Sequence, residues 1–378
     1  MDVMLEHYVY TVKPAPVSVI KEDEHDRSHT VWASAFPAFR GKSVIGAAGG
    51  APAWLTADDE LPHACEPHSP PTWSENYLSY VWSPGNEVGI YVHLARRTSP
   101  FEIWDEVVNI ALPGDRFVTA KSFGQGAADG VGVAAVRMTC EAPYQRWTKR
   151  FVGAGRVMDG DTYRAGPVTD GLHTPMRWEL SFTATSPPFD FGTQHLDQPW
   201  GHGHYEQHGV LEGWLEIGDE QFEIAGTGLR DHSWGARDYH EIGTTTWLHA
   251  QFPTSGRALM AVLVTGRPPR PPFSVATITD RASVHHLQVD ALPQATTLDE
   301  TSSAFRFTLR DGLDIEAEIS VEVIRPLRAA CAGSAELVLG THTAGAVNHH
   351  YIDAFSRFTW DGEIGYGLTE RTVDLESR

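Results

Sequence analysis

The residues best suited to chemistry are concentrated in one segment, Gly228–Asp238, which holds five ionisable side chains and a Trp. If the segment is extended, alternation places Arg230, His232 and Trp234 on one face and Asp231 on the other. His232 could act as a general acid or base, because imidazole titrates near neutral pH. Trp234 could cover an apolar substrate or stabilise a cation with its π face. We therefore predict His232 and Asp231 as catalytic residues, and Trp234 and Arg230 as substrate-binding residues.

The same charges could instead be architectural. Pairs between Arg230 and Asp238, or between Asp231 and Arg237, could clamp two strands together, since buried charges need partners. Crowding of ionisable groups at a strand end is unusual for a core alone, which favours the functional interpretation.

A second polar face follows on the next predicted strand. Its polar and aromatic residues alternate with apolar ones, and they are Thr245, Trp247, His249 and Gln251. An interior strand with this pattern lines a ligand cavity, whereas an edge strand with the same pattern faces water. Both interpretations remain open, and Trp247, His249 and Gln251 are candidate substrate-binding residues.

Histidines near residue 200 offer a metal-site alternative. The imidazoles of His202, His204 and His208 suit zinc or iron. The spacing of the first two resembles the start of a cupin motif, but the Glu that should follow four or five residues later is missing. A loop at the mouth of a pocket, with Glu206 as a catalytic carboxylic acid, fits better. We therefore expect no metal and no cofactor, and keep the histidine site as an alternative.

Alternating segments separated by turns predict an all-β, mainly antiparallel fold with few short helices. The chain has 35 Gly and 24 Pro, which are typical of many turns rather than long helices. The predicted strands are Asn76–Trp82, Val88–Leu94, Val131–Thr139, Arg146–Val152, Met176–Thr183, Tyr205–Ile217, Gln221–Ala225, Phe305–Leu309 and Leu313–Ile324. Ala329–Leu339 fits a short helix or another strand.

Two successive sets of strands predict two lipocalin-like β-barrel or sandwich domains. A break rich in Pro and Gly at Ser186–His204 gives the boundary. We predict an irregular N-terminal arm at 1–72 packed on the first barrel. The first barrel-like domain then spans 73–195 and the second spans 196–378, as a chain of 378 residues suggests.

Charge and cysteine content limit the partners and the compartment. A formal net charge of −20 disfavours nucleic acid and anionic membranes. Three distant cysteines have no metal or redox spacing, the N-terminus has no secretory pattern, and no apolar stretch is long enough to span a membrane. We therefore expect a cytoplasmic protein with reduced thiols. The sequence leaves a homodimer open.

The motif Gly228–Gly235 resembles a signature of the lipocalin-like superfamily of bacterial carotenoid hydratases and fungal Diels–Alderase-type cyclases (AttH/CrtC-like). Its D-H-x-W-G core is matched by Asp231, His232, Trp234 and Gly235. The segments Tyr205-Glu206-Gln207 and Gly365-Tyr366-Gly367-Leu368-Thr369-Glu370 resemble a related bacterial group. The resemblance covers mainly residues 200–370 and implies two barrel-like domains, a hydrophobic pocket and cofactor-free chemistry on alkenes, with functional roles for His232 and Trp234.

One departure from the pattern concerns the proton donor. The hydratases of this superfamily place a Tyr and an Asp on the strand after the motif, but Arg257–Val264 contains neither. Glu206, Asp231 or His249 would have to substitute.

The leading hypothesis is a cofactor-independent lyase, isomerase or cyclase that acts on a hydrophobic terpenoid, steroid or aromatic substrate. Protonation of an alkene needs an acid that burial keeps neutral. The alternatives are a non-enzymatic carrier of a hydrophobic ligand and a metalloenzyme built on His202, His204 and His208.

Overall fold

The structure is a computed structural model. It describes residues 54–64, 72–97, 102–126, 130–165, 171–190, 203–236, 242–266, 269, 271–280, 283–310, 316–332, 336–339 and 349–374. All of them belong to one compact unit, Gly41–Arg378. No helix within these ranges is both long and apolar enough to cross a bilayer.

The first antiparallel sheet contains the strands before residue 237. They are β1 (Trp73–Ser83), β2 (Val88–Arg97), β3 (Ile103–Leu112), β4 (Arg116–Gln125), β5 (Val131–Gly132), β6 (Val136–Ala142), β7 (Arg146–Asp159), β8 (Leu172–Ala184), β9 (Phe189–Asp190), β10 (Gly203–Ile217) and β11 (Glu220–Ala236). A short helix, α1 (Gly160–Ala165), follows β7 directly. The strand order is β4-β3-β2-β1-β11-β10-β8-β7, and β4 also pairs with β7, so eight strands form a closed first ring.

The second antiparallel sheet contains the strands after residue 241. They are β12 (Ile242–Phe252), β13 (Arg257–Gly266), β14 (Phe273–Asp280), β15 (Ser283–Ala291), β16 (Phe305–Arg310), β17 (Glu316–Ala332), β18 (Glu336–Leu339), β19 (His349–Trp360) and β20 (Glu363–Asp374). Short 3-10 segments lie at Ala57–Glu60 and Glu300–Ser302. Pairing of β16 with β17 closes a second ring of eight strands.

Alternation along the strands creates three apolar layers. Tyr77, Trp178 and Phe182 belong to the core inside the first ring. Phe252 and Phe358 belong to the core inside the second ring. A third cluster, the inter-sheet layer, lies between the sheets and includes Tyr80, Tyr91, Leu229, Trp247, Phe355 and Leu368. Strands such as β1 and β12 are therefore buried on both faces, which explains why few of their residues reach water.

The predicted all-β class is confirmed. Met176, Trp178, Leu180 and Phe182 are buried while Arg177, Glu179 and Ser181 are exposed, as the alternation indicated. The predicted strand Val131–Thr139 is instead a tight hairpin of β5 and β6, because Val133 bonds to Val136 and turns the chain. Ala329–Leu339 contributes to a hairpin of β17 and β18 rather than to a helix.

The division into domains at 1–72, 73–195 and 196–378 stays a prediction. Strands β10 and β11 pair with β8 and β1, so the two sheets change over between residues 236 and 242. Residues 54–64 of the predicted arm contact the first ring through Glu60 and His63. The rest of the predicted arm before residue 54 lies outside the described residues.

Gly228 illustrates how closely the backbones of β11 and β1 approach. A Cβ atom at this position would lie 2.0 Å from the Tyr80 carbonyl oxygen and 2.6 Å from Leu211 Cδ1. Gly228→Ala is therefore expected to lower the free energy of unfolding by about 1–3 kcal/mol, as overpacking does. Gly124→Ala is the control, because its nearest neighbour is a Val133 methyl group at 3.1 Å that can move. Urea denaturation of both variants checks the prediction, and equal losses would contradict it.

Candidate functional site

Pairing of β10 with β11 distributes the predicted site residues over two sides of the first sheet. Arg230 and His232 lie opposite Gln207 and Tyr205 and face the inside of the first ring. Glu206 and Asp231 also lie opposite each other, but they face the second sheet. The predicted residues therefore form two separate groups on opposite faces of the first sheet.

The group between the sheets, which we call the acid cluster, consists of His204, Glu206, Asp231, Trp247 and His249. Trp247 Nε1 donates to Glu206 Oε1 at 2.8 Å. His249 Nε2 lies 2.9 Å from Glu206 Oε2, although the two atoms are not oriented for a regular hydrogen bond. His204 Nε2 contacts Asp231 Oδ2 and lies 3.6 Å from Glu206 Oε1. The polar face of β12 is thus interior, because β13 and β20 flank this strand.

The hydrogen bonds of His208 and His249 bear on the protonation state of Glu206. One ring nitrogen of His208 bonds to the Leu259 carbonyl and must donate to it. A neutral His208 then accepts at Nε2, so His249 Nδ1, 3.3 Å away, is the donor. A neutral His249 is left with an acceptor at Nε2, which faces Glu206 Oε2. A neutral His249 that faces Oε2 therefore favours a proton on Glu206 over an ionised carboxylate.

Electrostatics agree with this assignment. Burial raises the pKa of Glu206 well above its usual value, and the charge of Asp231 adds to the shift while His204 and Trp247 oppose it. Burial also lowers the pKa of His249 to about 3 and that of His208 well below its usual value. Glu206 is 1% exposed and His249 is fully buried. An acid that is neutral at pH 7 is what alkene protonation requires.

Inside the first ring, a polar network surrounds Glu60 from the 3-10 segment. Arg230 Nη2 donates to Glu60 Oε1 at 2.7 Å, the Tyr205 hydroxyl donates to the same oxygen at 3.0 Å, and Trp147 Nε1 donates to Oε2 at 2.6 Å. Gln207 Oε1 accepts from Arg230 at 2.6 and 2.9 Å. Arg230 therefore pairs with Glu60, and the alternative partner Asp238 lies outside the described residues, as does Arg237.

His232 belongs to a neighbouring polar network of His63, Glu75, Arg96 and His232. His232 Nδ1 lies 2.8 Å from the Asp59 carbonyl and Nε2 lies 3.1 Å from Glu75 Oε1. Arg96 Nε donates to Glu75 Oε2 at 2.7 Å. Trp234 stacks on His63 with ring centroids 4.1 Å apart. Both ring nitrogens of His232 are therefore engaged by the protein itself.

Glu75 should make stability depend on pH. Burial acts to raise its pKa, but hydrogen bonds from His232 and His63 and the charges of His232 and Arg96 lower it to about 2. Because the pKa in the folded state is depressed, the stabilisation is complete above the unfolded value of about 4.3 and is lost as the pH falls towards 2. The free energy of unfolding of the wild type should exceed that of Glu75→Gln by about 3 kcal/mol at pH 7 and by little at pH 2. Urea denaturation between pH 2 and pH 7 measures this difference, and Glu212→Gln, at an exposed position, is the control. A difference in the free energy of unfolding that does not depend on pH would contradict the prediction.

Within the described part of the chain, two groups bring together atoms that could hold a metal ion. The ligand atoms of His204, Glu206 and Asp231 lie within 4.8 Å of one another, as do those of His63, Glu75 and His232. Arg96 bonds to Glu75, and its positive charge disfavours a cation in the second group. Of the histidines predicted as metal ligands, His204 lies in the first group, His208 in neither, and His202 outside the described residues.

The remaining predicted residue, Gln251, connects the two sheets. Its side-chain nitrogen donates to the carbonyls of Gly209 and Gly228 at 2.9 and 2.7 Å. Residues that the sequence did not reveal are Glu60, His63, Glu75 and Arg96. No spacing rule could have found them, because Glu60 and Glu75 are 170 and 157 positions from Arg230 and His232.

Solved structures of other proteins share this architecture. A protein from Nitrosomonas europaea described as an AttH superposes with a TM-score of 0.53 at 15% identity, covering 83% of this chain and 98% of its own. CghA superposes with a TM-score of 0.50 at 10% identity, covering 86% of this chain and 97% of its own. A second CghA structure, with Sch210972, gives a TM-score of 0.50 at 10% identity and covers 85% and 96%. The expected resemblance to the lipocalin-like superfamily is confirmed as a shared fold.

Sequence comparison assigns the chain more directly. No curated protein matches it. The model of a family described as a domain of unknown function (DUF7064) matches residues 56–373, which is most of the chain. The chain therefore belongs to the DUF7064 family.

Proposed function

We propose that this protein is a cofactor-independent enzyme of the hydratase, isomerase or cyclase type, which protonates an alkene of a hydrophobic small molecule. Glu206 is the proton donor. The substrate class is a terpenoid, a steroid or an aromatic alkene, and the fold shared with an AttH and with CghA supports this proposal.

The observation that carries the proposal is the buried Glu206 carboxyl beside the inter-sheet layer, whose pKa burial raises well above its usual value. Oε1 is held by Trp247, whereas Oε2 has no regular hydrogen-bond partner among the described residues. A proton on Oε2 is therefore held only by the poorly oriented contact with His249 Nε2 and can transfer to a π bond placed against it. Transfer leaves a carboxylate beside a substrate carbocation, and the buried indole of Trp247 offers a π face to that cation.

Asp231 and His204 can return the proton to Glu206. They lie at the edge of the cluster, with side chains 11% and 14% exposed, and His204 is near both carboxyl groups. A proton can pass from solvent through this pair to Glu206 after each turnover. His232, by contrast, lies on the other side of β11 with both nitrogens engaged, so we assign it a positioning role.

Hydrogen–deuterium exchange tests the proposal without knowledge of the product. The protein is incubated in D₂O with a panel of terpenoid, steroid and styrene-type alkenes, and each alkene is analysed by mass spectrometry. A protonating enzyme places deuterium on carbon in at least one alkene. Stoichiometric binding with no deuterium on carbon would instead support a carrier of hydrophobic ligands.

A metalloenzyme is the second candidate, because the ligand atoms of His204, Glu206 and Asp231 converge. A carboxyl group that is protonated is a poor metal ligand, since metals bind the deprotonated form. Native mass spectrometry of the purified protein distinguishes the two. A mass excess of one metal ion that Asp231→Asn removes would favour the metal; its absence would leave the acid.

A further inference from the structure

A second buried carboxyl group faces the inter-sheet layer from the opposite sheet. In the register of the second sheet, Trp247 pairs with Glu370 and Glu370 pairs with Asp353. These three residues form one row across β12, β20 and β19. Trp247 belongs to the inter-sheet layer. Phe355, which follows Asp353 by two residues and therefore lies on the same face of β19, belongs to it as well. Asp353 therefore faces the first sheet about 10 Å along the row from Trp247, two strand spacings away.

Asp353 is a buried carboxyl group that, among the described residues, is held by a hydrogen bond rather than by a salt bridge. It is 5% exposed, and Oδ1 has no hydrogen-bond partner within the described ranges. Tyr91, from the first sheet, bonds to the carboxyl group. Burial raises the pKa of Asp353 to about 7, although the hydrogen bond from Tyr91 opposes the shift. Such a group can both accept and release a proton at neutral pH.

Tyr80 and Tyr91 connect this carboxyl group to the acid cluster. They are direct neighbours on β1 and β2, and both lie in the inter-sheet layer. Burial raises the pKa of Tyr80, and the closeness of the Glu206 and Asp353 carboxyl groups adds to the shift. The pKa of Tyr91 is raised by burial and by Asp353, Glu370 and Asp231. The two carboxyl groups therefore both border the inter-sheet layer, to which Tyr80, Tyr91 and Trp247 belong.

We propose that Asp353, held by Tyr91, is the catalytic base that completes the reaction started by Glu206, so that the enzyme moves a double bond. This inference rests on the proposed function. Glu206 gives its proton to one alkene carbon, and the π electrons form the new C–H bond. Asp353 removes a proton from a carbon next to the cation, and the electrons of that C–H bond form the new C=C bond. The substrate keeps its composition, and exchange with solvent restores both carboxyl groups.

The test compares wild type, Asp353→Asn and Glu206→Gln on the same alkene panel in D₂O. Wild type should yield a deuterated alkene with a shifted double bond. Asp353→Asn should form this isomer about 10²–10⁴-fold more slowly, while deuterium still enters the recovered starting alkene through Glu206. Glu206→Gln should show neither process. Asp219→Asn, an exposed site, is the matched control, and urea denaturation confirms that the variants are folded.

Each other outcome is decisive. Isomer formation by Asp353→Asn at the wild-type rate would overturn the role of Asp353 and leave that of Glu206 intact. If wild type forms a deuterated hydration product and no alkene with a shifted double bond, the role of Asp353 would likewise be overturned and that of Glu206 left intact. No deuterium on carbon with wild type would overturn both the base and the proposed function. An Asp353→Asn variant that does not fold is replaced by Tyr91→Phe, which should slow isomer formation but not exchange into the starting alkene; an unchanged rate would contradict the proposal.

Discussion

Arg230→Met is expected to lower the free energy of unfolding by about 3–5 kcal/mol, because it leaves a buried carboxylate without its cation. Arg230 is 5% exposed, and its guanidinium group is 2.7 Å from Glu60 Oε1. Glu60 is fully buried inside the first ring. Removing the Arg also leaves Gln207 Oε1 without the donor that holds it, which adds to the cost. Urea denaturation of the variant measures the loss.

Two controls separate this effect from a general loss of packing. The double variant Glu60→Gln with Arg230→Met removes both charges, so it should recover most of the lost stability. Arg177→Met breaks an exposed pair with Glu216, where the Arg side chain is 61% exposed, and should cost less than about 1 kcal/mol. A double variant as unstable as the single one would show that packing, not charge, dominates.

Glu206→Gln is expected to slow deuterium incorporation about 10²–10⁴-fold, which is the usual contribution of a positioned acid. The amide has nearly the same shape, and its oxygen can still accept the Trp247 hydrogen bond. Only the transferable proton is lost, so the free energy of unfolding should change little. The measurement is the initial rate of deuterium incorporation into whichever alkene of the panel the wild type labels.

Glu212→Gln provides the matched control for this variant. Glu212 lies on the same strand and is exposed, so its replacement should leave the rate unchanged. A Glu206→Gln variant with the wild-type rate would assign the proton to another group. If Glu206→Gln loses both activity and stability, Glu206→Asp is compared with it. This variant keeps a carboxylic acid and should retain part of the rate.

Local periodicity was sufficient for much of the fold. Alternation over Met176–Thr183 and over Leu313–Ile324 depends on neighbours two residues apart, so it predicts strands without tertiary information. The same rule placed Arg230 and His232 on the face opposite to Asp231, as observed. Hairpin turns indicated antiparallel pairing, and β10 and β11 show it.

Closure of the sheets and composition of the site depend on contacts between distant segments. Alternation on β12 could not decide between an interior and an edge strand, because either gives one polar face; pairing with β13 and β20 decides it. The side chains packed against Glu206 include those of Trp247 and His249, which lie 41 and 43 residues away in the sequence. Glu60 and Glu75 gain their roles only when the chain brings them to Arg230 and His232.

The protonation state of Glu206 at neutral pH is the central claim, and infrared difference spectroscopy measures it directly. Spectra of wild type and Glu206→Gln are recorded at pH 7 and subtracted. The difference should contain the C=O stretch of a protonated carboxylic acid, present in wild type and absent in the variant. A difference that contains only carboxylate bands would show that Glu206 is ionised and would contradict its role as the proton donor.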